Sequence, residues 1–332
     1  MNWIAKRFAE LRIGEPATCG RLEVYPLIGP AATPIAYLTL DEALASSLLR
    51  VTEQGVDGRV DTVVVANDGS MPTLLLEGEE LIGCRQNRVL NVSLLVAAKS
   101  ILHVPVSCVE QGRWSEKSAT FDTSANSQSS RGRASKVASV SASLAEGVGY
   151  RSDQGAVWAG IAERAEALRA TSGTMAMSDV YEQASGRLAD YEQCLPASSD
   201  ALGAVFAING STTGVDFFDQ PATWRKYAAK LLRGYALDAL AAAPASPGAP
   251  QWAPADFFNR LAGECFESRP SLGLGSDLRA DRTDLTAAAL AVDDALVHFC
   301  SFPVHNEAGP AAALRSRVLR RRGGLAGTRA SG

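Results

Sequence analysis

The chain has 332 residues, of which 46% are hydrophobic and 20% charged, the balance of an ordinary globular protein with a buried core. Its formal net charge of −4 argues against a general attraction for nucleic acid, which requires clustered lysine and arginine. It contains no run of about 18 apolar residues that would span a membrane, and no apolar signal-peptide segment follows its first residues. We therefore expect a cytoplasmic protein of one or two domains.

The pattern of cysteines and histidines predicts neither a disulfide nor a metal site. Six cysteines are scattered without paired spacing, which in a cytoplasmic chain predicts reduced thiols. The three histidines are too dispersed to bind a metal together, and His103 is expected to be buried and neutral on its strand. The glycines Gly273 and Gly275 lack the third member of a dinucleotide fingerprint, so the residues identify no cofactor.

Strand-type segments dominate the first half of the chain. They are expected at 22–28, 36–40, 61–66, 73–83, 86–97 and 100–111, with a short helix over 41–49 that Asp41 caps. The breaks at 84–85 and 98–99 are short enough for hairpins. Segment 86–97 is apolar on both alternating faces, which is typical of a strand inside a covered sheet.

Helical periodicity begins after a polar, serine-rich stretch at 115–133, which we expect to be a mobile loop. Ser152 and Ser178 are predicted to cap two helices, and Pro221 is predicted to open a long helix that ends near residue 242. The remaining expected elements are strands at 204–209 and 297–302, a proline- and alanine-rich loop at 243–254 and a helix at 255–265.

This order of elements favours an α+β fold over a regular βαβ alternation. We expect an N-terminal segment at 1–20, then a single domain over 21–305. In that domain an N-terminal antiparallel or mixed sheet would pack against a C-terminal helical portion with further short strands. The basic tail at 306–332 is predicted to be disordered.

The apolar stripe of the long helix, which includes Leu231, is predicted to be core. Lys226, Lys230 and Arg233 lie at other angles of that helix and are expected to be solvated.

A group of polar residues gathers at the ends of the central strands. It comprises Glu77, Glu79, Glu80, Arg85, Gln86, Asn87, Arg88, Glu110, Gln111, Arg113 and Trp114. Two-residue hairpins at both breaks would place Glu80 opposite Val89 and Asn87 opposite Glu110. Carboxylates, amides and guanidinium groups would then meet at one end of a sheet, with Arg88 and Glu110 within about 10 Å.

Two interpretations of this group remain open. It could be a solvated sheet end, because Arg–Glu pairs across exposed strands contribute little. It could instead be a ligand site, since Gly78, Gly83 and Gly112 would let a ligand approach the backbone closely. Within such a site Glu80 or Glu110 could act as general base, so the spacing does not decide between binding and catalysis.

Several sequence blocks, taken in order, resemble a known family. The blocks are 76–83, 86–91, 105–114, 176–181, 214–219 and 231–238. Together they are similar to the bacterial domain family described as associated with ADP-ribosylglycohydrolases and rhodanese-phosphatases, over roughly residues 20–305. The resemblance implies a ligand or substrate related to ADP-ribose or NAD. It assigns no catalytic residue.

Three hypotheses follow from the residues and the resemblance together. In a binding or sensing module, Arg88 and Arg113 would meet the phosphate of a small anionic ligand and Trp114 would stack on its base. The carboxylates would then take ribose hydroxyls. In a hydrolase or transferase of ADP-ribose-type substrates, Glu80 or Glu110 would be the general base. In a structural or partner-binding protein, the group would be a salt-bridged sheet edge.

Overall fold

The protein is described here by a computed structural model that covers residues 2–32, 35–55, 58–195, 200–244 and 251–304. The predicted tail at 306–332, and residues 245–250 of the predicted loop at 243–254, lie outside the described residues. The helices are α1 (Asn2–Ala9), α2 (Leu40–Ala45), α3 (Ser130–Ala145), α4 (Gln154–Leu168), α5 (Met177–Ala189), α6 (Pro221–Ala241) and α7 (Pro254–Ala262).

Strands occur in both halves of the chain. They are β1 (Arg12–Ile13), β2 (Ala17–Cys19), β3 (Leu22–Ile28), β4 (Leu38–Thr39), β5 (Leu49–Glu53), β6 (Thr62–Asn67), β7 (Thr73–Leu75), β8 (Glu79–Gly83), β9 (Arg88–Leu90), β10 (Leu94–Val96), β11 (Ser100–Cys108), β12 (Phe121–Ser127), β13 (Ala201–Ile208), β14 (Ser211–Phe217), β15 (Glu267–Pro270), β16 (Ser276–Asp281), β17 (Leu285–Val292) and β18 (Ala295–Pro303).

These strands form three sheets, and the mixture of helix and sheet confirms the α+β class. A nine-stranded sheet runs in the order β1-β3-β13-β14-β18-β17-β16-β15, with β2 paired to β3. A six-stranded sheet runs β12-β8-β9-β11-β6-β5, and a three-stranded sheet runs β10-β7-β4. The largest sheet thus combines strands from both ends of the chain, which differs from the expected division into an N-terminal sheet and a C-terminal helical portion.

Helices cover both faces of the nine-stranded sheet, which explains why its central strand β13 is buried along its whole length. On one face, Phe8 of α1 packs edge-on against Phe299, with ring centres 4.9 Å apart. On the other face, Tyr235 of α6 stacks on Phe206 at 3.7 Å. Alternate residues of one strand therefore enter two separate cores.

The three long strands predicted in the first half are interrupted. Segment 73–83 is divided into β7 and β8, and segment 86–97 into β9 and β10. At the first break Gly78 has φ +85°, and a Cβ there would lie 3.1 Å from the side chain of Arg133. Glycine therefore permits both the bend and the close approach of that arginine.

The predicted register is correct for one pair of strands and wrong by one residue for the next. Glu80 lies opposite Val89, as predicted. The predicted pairing of Asn87 with Glu110 would place Arg88 opposite Val109, but Arg88 lies opposite Cys108. The reason is that 97–100 does not join paired strands, because β10 turns away to pair with β7.

The serine-rich stretch is more ordered than predicted, and the N-terminal segment contributes to the largest sheet. Residues 1–20 contribute α1, β1 and β2, and the two strands pair with β3. Within 115–133, β12 joins the edge of the six-stranded sheet and α3 begins at Ser130. Residues 115–120 and 128–129 lack helix and strand, so the prediction of an irregular loop is wrong for the rest of the stretch. The serines and the asparagine of β12 adopt a strand because β8 supplies the hydrogen-bonding partner.

Three side-chain predictions also need correction. His103 is exposed on β11 rather than buried. Lys230 is buried in α6 rather than solvated, whereas Leu231 is fully buried as predicted. Cys19 and Cys194 form a disulfide, because the fold brings β2 against the turn after α5. No helix among the described residues has both the length and the apolarity of a membrane span.

Candidate functional site

The residues predicted at the strand ends come together, but the sheet divides them between its two faces. Leu81 pairs with Arg88, and Glu80 pairs with Val89. Paired residues share a face and neighbouring residues alternate, so Glu80 and Arg88 point to opposite sides of the sheet. A single ligand cannot contact both side chains without crossing the sheet.

Arg113 is already occupied by acceptors of the protein. Its guanidinium donates to the carbonyl oxygens of Gly83 and Cys84, at 3.2 and 2.7 Å, and to Oδ1 of Asn87 at 3.2 Å. It also donates to Glu110 Oε2 at 2.6 Å. These bonds tie the end of β8 to the segment after β11. Arg113 is therefore committed to holding the backbone in place, and the phosphate contact predicted for it is not supported.

Glu110 is likewise committed. Its Oε2 accepts from the backbone N–H of Asn87 at 3.1 Å as well as from Arg113, and its Oε1 accepts from the Thr174 hydroxyl at 3.2 Å. Partial burial alone would raise the pKa of Glu110, but the hydrogen bonds from Arg113 and Asn87 outweigh it and lower that pKa. A carboxylate with a lowered pKa and engaged oxygens is a poor general base.

The three glycines next to these residues face protein atoms rather than open space. A Cβ at Gly83 would meet the Ser118 hydroxyl at 2.4 Å, and one at Gly112 would meet Thr174 at 3.0 Å. The Cβ position of Gly78 is filled by Arg133, as noted above. The glycines thus permit close packing of the chain, and they give no separate support to a ligand site.

Arg88 differs from Arg113 because much of its guanidinium lacks a partner. The side chain is fully buried. Its Nη1 donates to Gln86 Oε1 at 2.9 Å, whereas Nε and Nη2 make no hydrogen bond. Oε1 of Glu53 lies 3.7 Å from Nη2, close enough for an ion pair but beyond hydrogen-bond distance. Burial lowers the pKa of Arg88, as expected for a buried cation that is incompletely compensated.

Trp114 lies over this arginine and also faces solvent. Its ring centre is 5.9 Å from the Arg88 Cζ and 5.8 Å from the Arg85 Cζ, both within cation–π range. The residue is 46% exposed, one of the few large apolar side chains at the surface. Gln111, also predicted at the site, is exposed. The Arg88–Trp114 patch therefore joins a buried cation to an accessible aromatic face.

Glu80 occupies the opposite face of the sheet. It is fully buried, and its Oε2 accepts a hydrogen bond from the Ser124 hydroxyl at 2.7 Å. Its Oε1 has no hydrogen-bond partner. Burial raises the pKa of Glu80 to about 7, against the opposing effect of hydrogen bonds from Ser124 and Asn126. Glu80 thus has the protonation behaviour of a general acid or base at neutral pH.

Glu79 makes a third, separate contact, in which its carboxylate binds a lysine of α6. Its Oε1 accepts from the Lys230 ammonium at 2.8 Å, and its Oε2 accepts from the backbone N–H of Leu76 at 2.7 Å. Lys230 also donates to Asp41 at 2.8 Å. This arrangement attaches α6 to the six-stranded sheet, which explains why Lys230 is buried.

A larger buried network was not predicted. Arg133 of α3 donates to both oxygens of Asp216, at 2.9 and 2.6 Å, and through Nε to Glu77 at 2.6 Å. Tyr235 donates to Asp216 Oδ2 at 2.8 Å, and His298 Nε2 lies 3.2 Å from Asp216 Oδ1. Burial alone would lower the pKa of Arg133, but the two carboxylates raise it well above its usual value.

Lys136, one turn after Arg133, completes this network. Its ammonium donates to the Leu90 carbonyl at 2.8 Å and lies 3.4 Å from Glu77 Oε2. Burial lowers the pKa of Lys136 to about 8, although Glu77 opposes this shift. Two cations face two carboxylates in the interior, and the contacts join α3 and α6 to both larger sheets.

One signal in the sequence could have identified the network. Asp216 and His298 each stand alone within an apolar strand, and a buried charge in such a position requires a partner. The matching cation, Arg133, lies in the stretch predicted to be a loop, so periodicity does not reveal the pairing.

No group of three or more histidine, cysteine, aspartate or glutamate side chains among the described residues has the geometry to hold a metal ion. The chain belongs to the family described as the ARG and Rhodanese-Phosphatase-superfamily-associated Protein domain, whose model matches residues 10–302. This match confirms the resemblance found in the sequence blocks. Comparisons with curated proteins and with solved structures found no match.

Proposed function

We propose that this family member is a binding or sensing module for a small anionic ligand of nucleotide type, held at the Arg88–Trp114 patch. One observation carries the proposal: Arg88 is fully buried while two of its nitrogens lack hydrogen-bond partners. A buried donor that lacks a partner costs about 1–3 kcal/mol, and more when it is charged. A bound anion would remove that cost.

The geometry of Arg88 suits a phosphate or carboxylate group. The unpartnered Nε and Nη2 form one edge of the planar guanidinium, and two parallel N–H bonds from such an edge match two oxygens of an oxyanion. Nη1, on the other edge, remains fixed by Gln86. Glu53 neutralises the cation only in part, because its nearest oxygen stays at 3.7 Å.

Trp114 would supply the second part of the site. Its exposed ring offers a stacking face for a base, an interaction that contributes about 1–3 kcal/mol per base in proteins that bind single-stranded nucleic acid. Trp114 covers Arg88, so binding requires the ring to move aside or the anion to enter at its edge. Trp114 directly precedes residues 115–120, a stretch without helix or strand. The family description, with its link to ADP-ribosylglycohydrolases, supports ADP-ribose or NAD derivatives as the first ligands to test.

The direct test measures the melting temperature and isothermal binding heats with ADP-ribose, NAD, AMP and sulfate. A ligand specific for the folded state raises the melting temperature. We expect ADP-ribose or NAD to raise it for the native chain and for Arg50→Gln, an exposed arginine paired with Asp68 that serves as control. Arg88→Gln should abolish the shift, and Trp114→Ala should weaken binding of the nucleotides but not of sulfate. An equal shift in Arg88→Gln and the native chain would refute the site.

The environment of Glu80 supports a second candidate function, that of a hydrolase or transferase of ADP-ribose-type substrates. Its unpartnered Oε1 and its pKa of about 7 suit a general base. Because Glu80 lies on the opposite face from Arg88, this reaction would require a separate substrate position. Turnover of ADP-ribose or NAD that is present in the native chain and lost in Glu80→Gln would favour the enzyme, provided that Arg88→Gln retains it.

A further inference from the structure

We infer that the protein has a second ligand site, for a small hydroxylated anion of sugar-phosphate type, in a cavity at the N-terminus of α4. The cavity has a volume of about 340 Å³ and lies between Val60 and Asp61, the strand β11, and the residues that lead into α4. Pockets for small molecules begin at about this volume, so the space exceeds what a single ion or water requires. This site is independent of the Arg88–Trp114 patch.

The walls of the cavity are held in place by hydrogen bonds between side chains and backbone. Gln154, the first residue of α4, accepts from the backbone N–H of Cys108 and donates to its carbonyl, both at 2.8 Å. Asn91 donates to the Tyr150 carbonyl at 3.2 Å and accepts from the Ser107 hydroxyl at 2.7 Å. The start of α4 is thereby fixed to the sheet, and the cavity is formed before any ligand arrives.

Positive charge is available at one wall. Arg151 is exposed, and it makes no hydrogen bond or ion pair with any residue that the structure describes. The Ser152 hydroxyl oxygen is buried and also has no partner. Both residues precede Asp153, the N-cap of α4, whose carboxylate already accepts from the Ala156 N–H at 3.0 Å. An anion in the cavity would therefore contact Arg151 and Ser152 rather than the end of the helix. The arginine and the hydroxyl together suit a phosphate.

The rest of the lining suits a hydroxylated carbon skeleton. The Asp61 carboxylate accepts through Oδ1 from Thr62, which leaves Oδ2 available to a ligand hydroxyl. Val60 and Val106 provide apolar surface. No aromatic ring lines the cavity among the described residues, so nothing there would stack on a base. This composition favours a sugar phosphate over a nucleotide.

Ribose 5-phosphate is the probe for this site, with ribose and inorganic phosphate as its two parts. We expect calorimetry to show binding of ribose 5-phosphate and much weaker binding of either part. Arg151→Met should weaken binding of ribose 5-phosphate at least tenfold, because it removes a charged hydrogen bond. Asp61→Asn should weaken binding of ribose 5-phosphate severalfold and leave that of inorganic phosphate unchanged.

Two control variants make the outcome decisive. Arg187→Met removes an exposed arginine on α5, and Trp114→Ala alters the other proposed site, so neither should change binding of ribose 5-phosphate. The inference is overturned if ribose 5-phosphate fails to bind, if Arg151→Met binds it as well as the native chain does, or if inorganic phosphate binds equally tightly. Loss of binding in Trp114→Ala would also overturn it, since the probe would then occupy the Arg88–Trp114 patch.

Discussion

Arg133 and Arg88 are both fully buried arginines, yet their surroundings are opposite. Arg133 donates to two carboxylates through three nitrogens, and these carboxylates raise its pKa. Arg88 makes one short hydrogen bond to an amide, and burial lowers its pKa. The difference supports a structural role for Arg133, and it is the reason that we propose Arg88 as the residue that meets a ligand. Burial is the same in both arginines, and the donors of Arg88 that lack partners are the feature that requires an explanation.

The largest effect is expected from Arg133→Met. Removing the cation leaves Glu77 and Asp216 buried without their main partner, and breaking a buried pair in this way destabilises a protein by about 3–5 kcal/mol. Urea unfolding should show a lower midpoint with an unchanged slope.

Arg133→Lys is the companion variant if Arg133→Met does not fold. It keeps the charge but loses the two parallel bonds to Asp216. Its unfolding free energy should therefore lie between those of Arg133→Met and the native chain. A loss below about 1 kcal/mol in Arg133→Met would mean that the network is not structural.

A pH-dependent effect is expected from Glu80. Its pKa is about 7 in the folded chain, against an ordinary value of 4.5. Between these values the folded chain holds a proton that the unfolded chain releases, so this group lowers the unfolding free energy as the pH rises from 4.5 to 7. Glu80→Gln stays neutral, and it should therefore exceed the native stability by up to ~3 kcal/mol at pH 8 and match it near pH 4.

Glu110→Gln is the matched control for Glu80→Gln, because the pKa of Glu110 is lowered rather than raised. Glu110 contributes stability above its ordinary pKa and loses it as the pH falls, so the variant should be less stable than the native chain at neutral pH. A difference between Glu80→Gln and the native chain that does not vary with pH would contradict the raised pKa.

The smallest effect on stability is expected from Arg88→Met. The substitution removes a buried charge that is poorly compensated, and Gln86 Oε1 keeps a second donor in the Cys108 thiol. The unfolding free energy should change by less than about 1 kcal/mol. The ligand-induced shift in melting temperature should nevertheless disappear. A loss comparable to that of Arg133→Met would show that both arginines are structural, and the comparison would fail.

The sequence predicted the elements well where local patterns decide them. The fold class, the family, β3, the long helix α6 and the pairing of Glu80 with Val89 were all found from periodicity, turns and sequence blocks. β12 was missed because its serines and asparagine carry no strand signal, and its pairing with β8 decides its structure.

The candidate site was predicted as a set of neighbours but not as a set of roles. Proximity follows from strand order, so Arg88, Glu110 and Arg113 were brought together correctly. Which of them has free donors or acceptors depends on hydrogen bonds to residues far along the chain, such as the bond that the Thr174 hydroxyl donates to Glu110. A shift of one residue in the register of β11 also changed which side chains share a face.

The order of strands in the nine-stranded sheet has a consequence for synthesis of the chain. β3 pairs with β13, so it emerges from the ribosome long before its partner, and Cys19 precedes Cys194 by 175 residues. The strands β5 to β12 come from one continuous stretch and include all members of the six-stranded sheet. Contacts between distant segments form slowly, and an unpaired strand is prone to aggregate. The six-stranded sheet can therefore form during translation, while β3 has only the short strands β1 and β2 as partners until β13 is made.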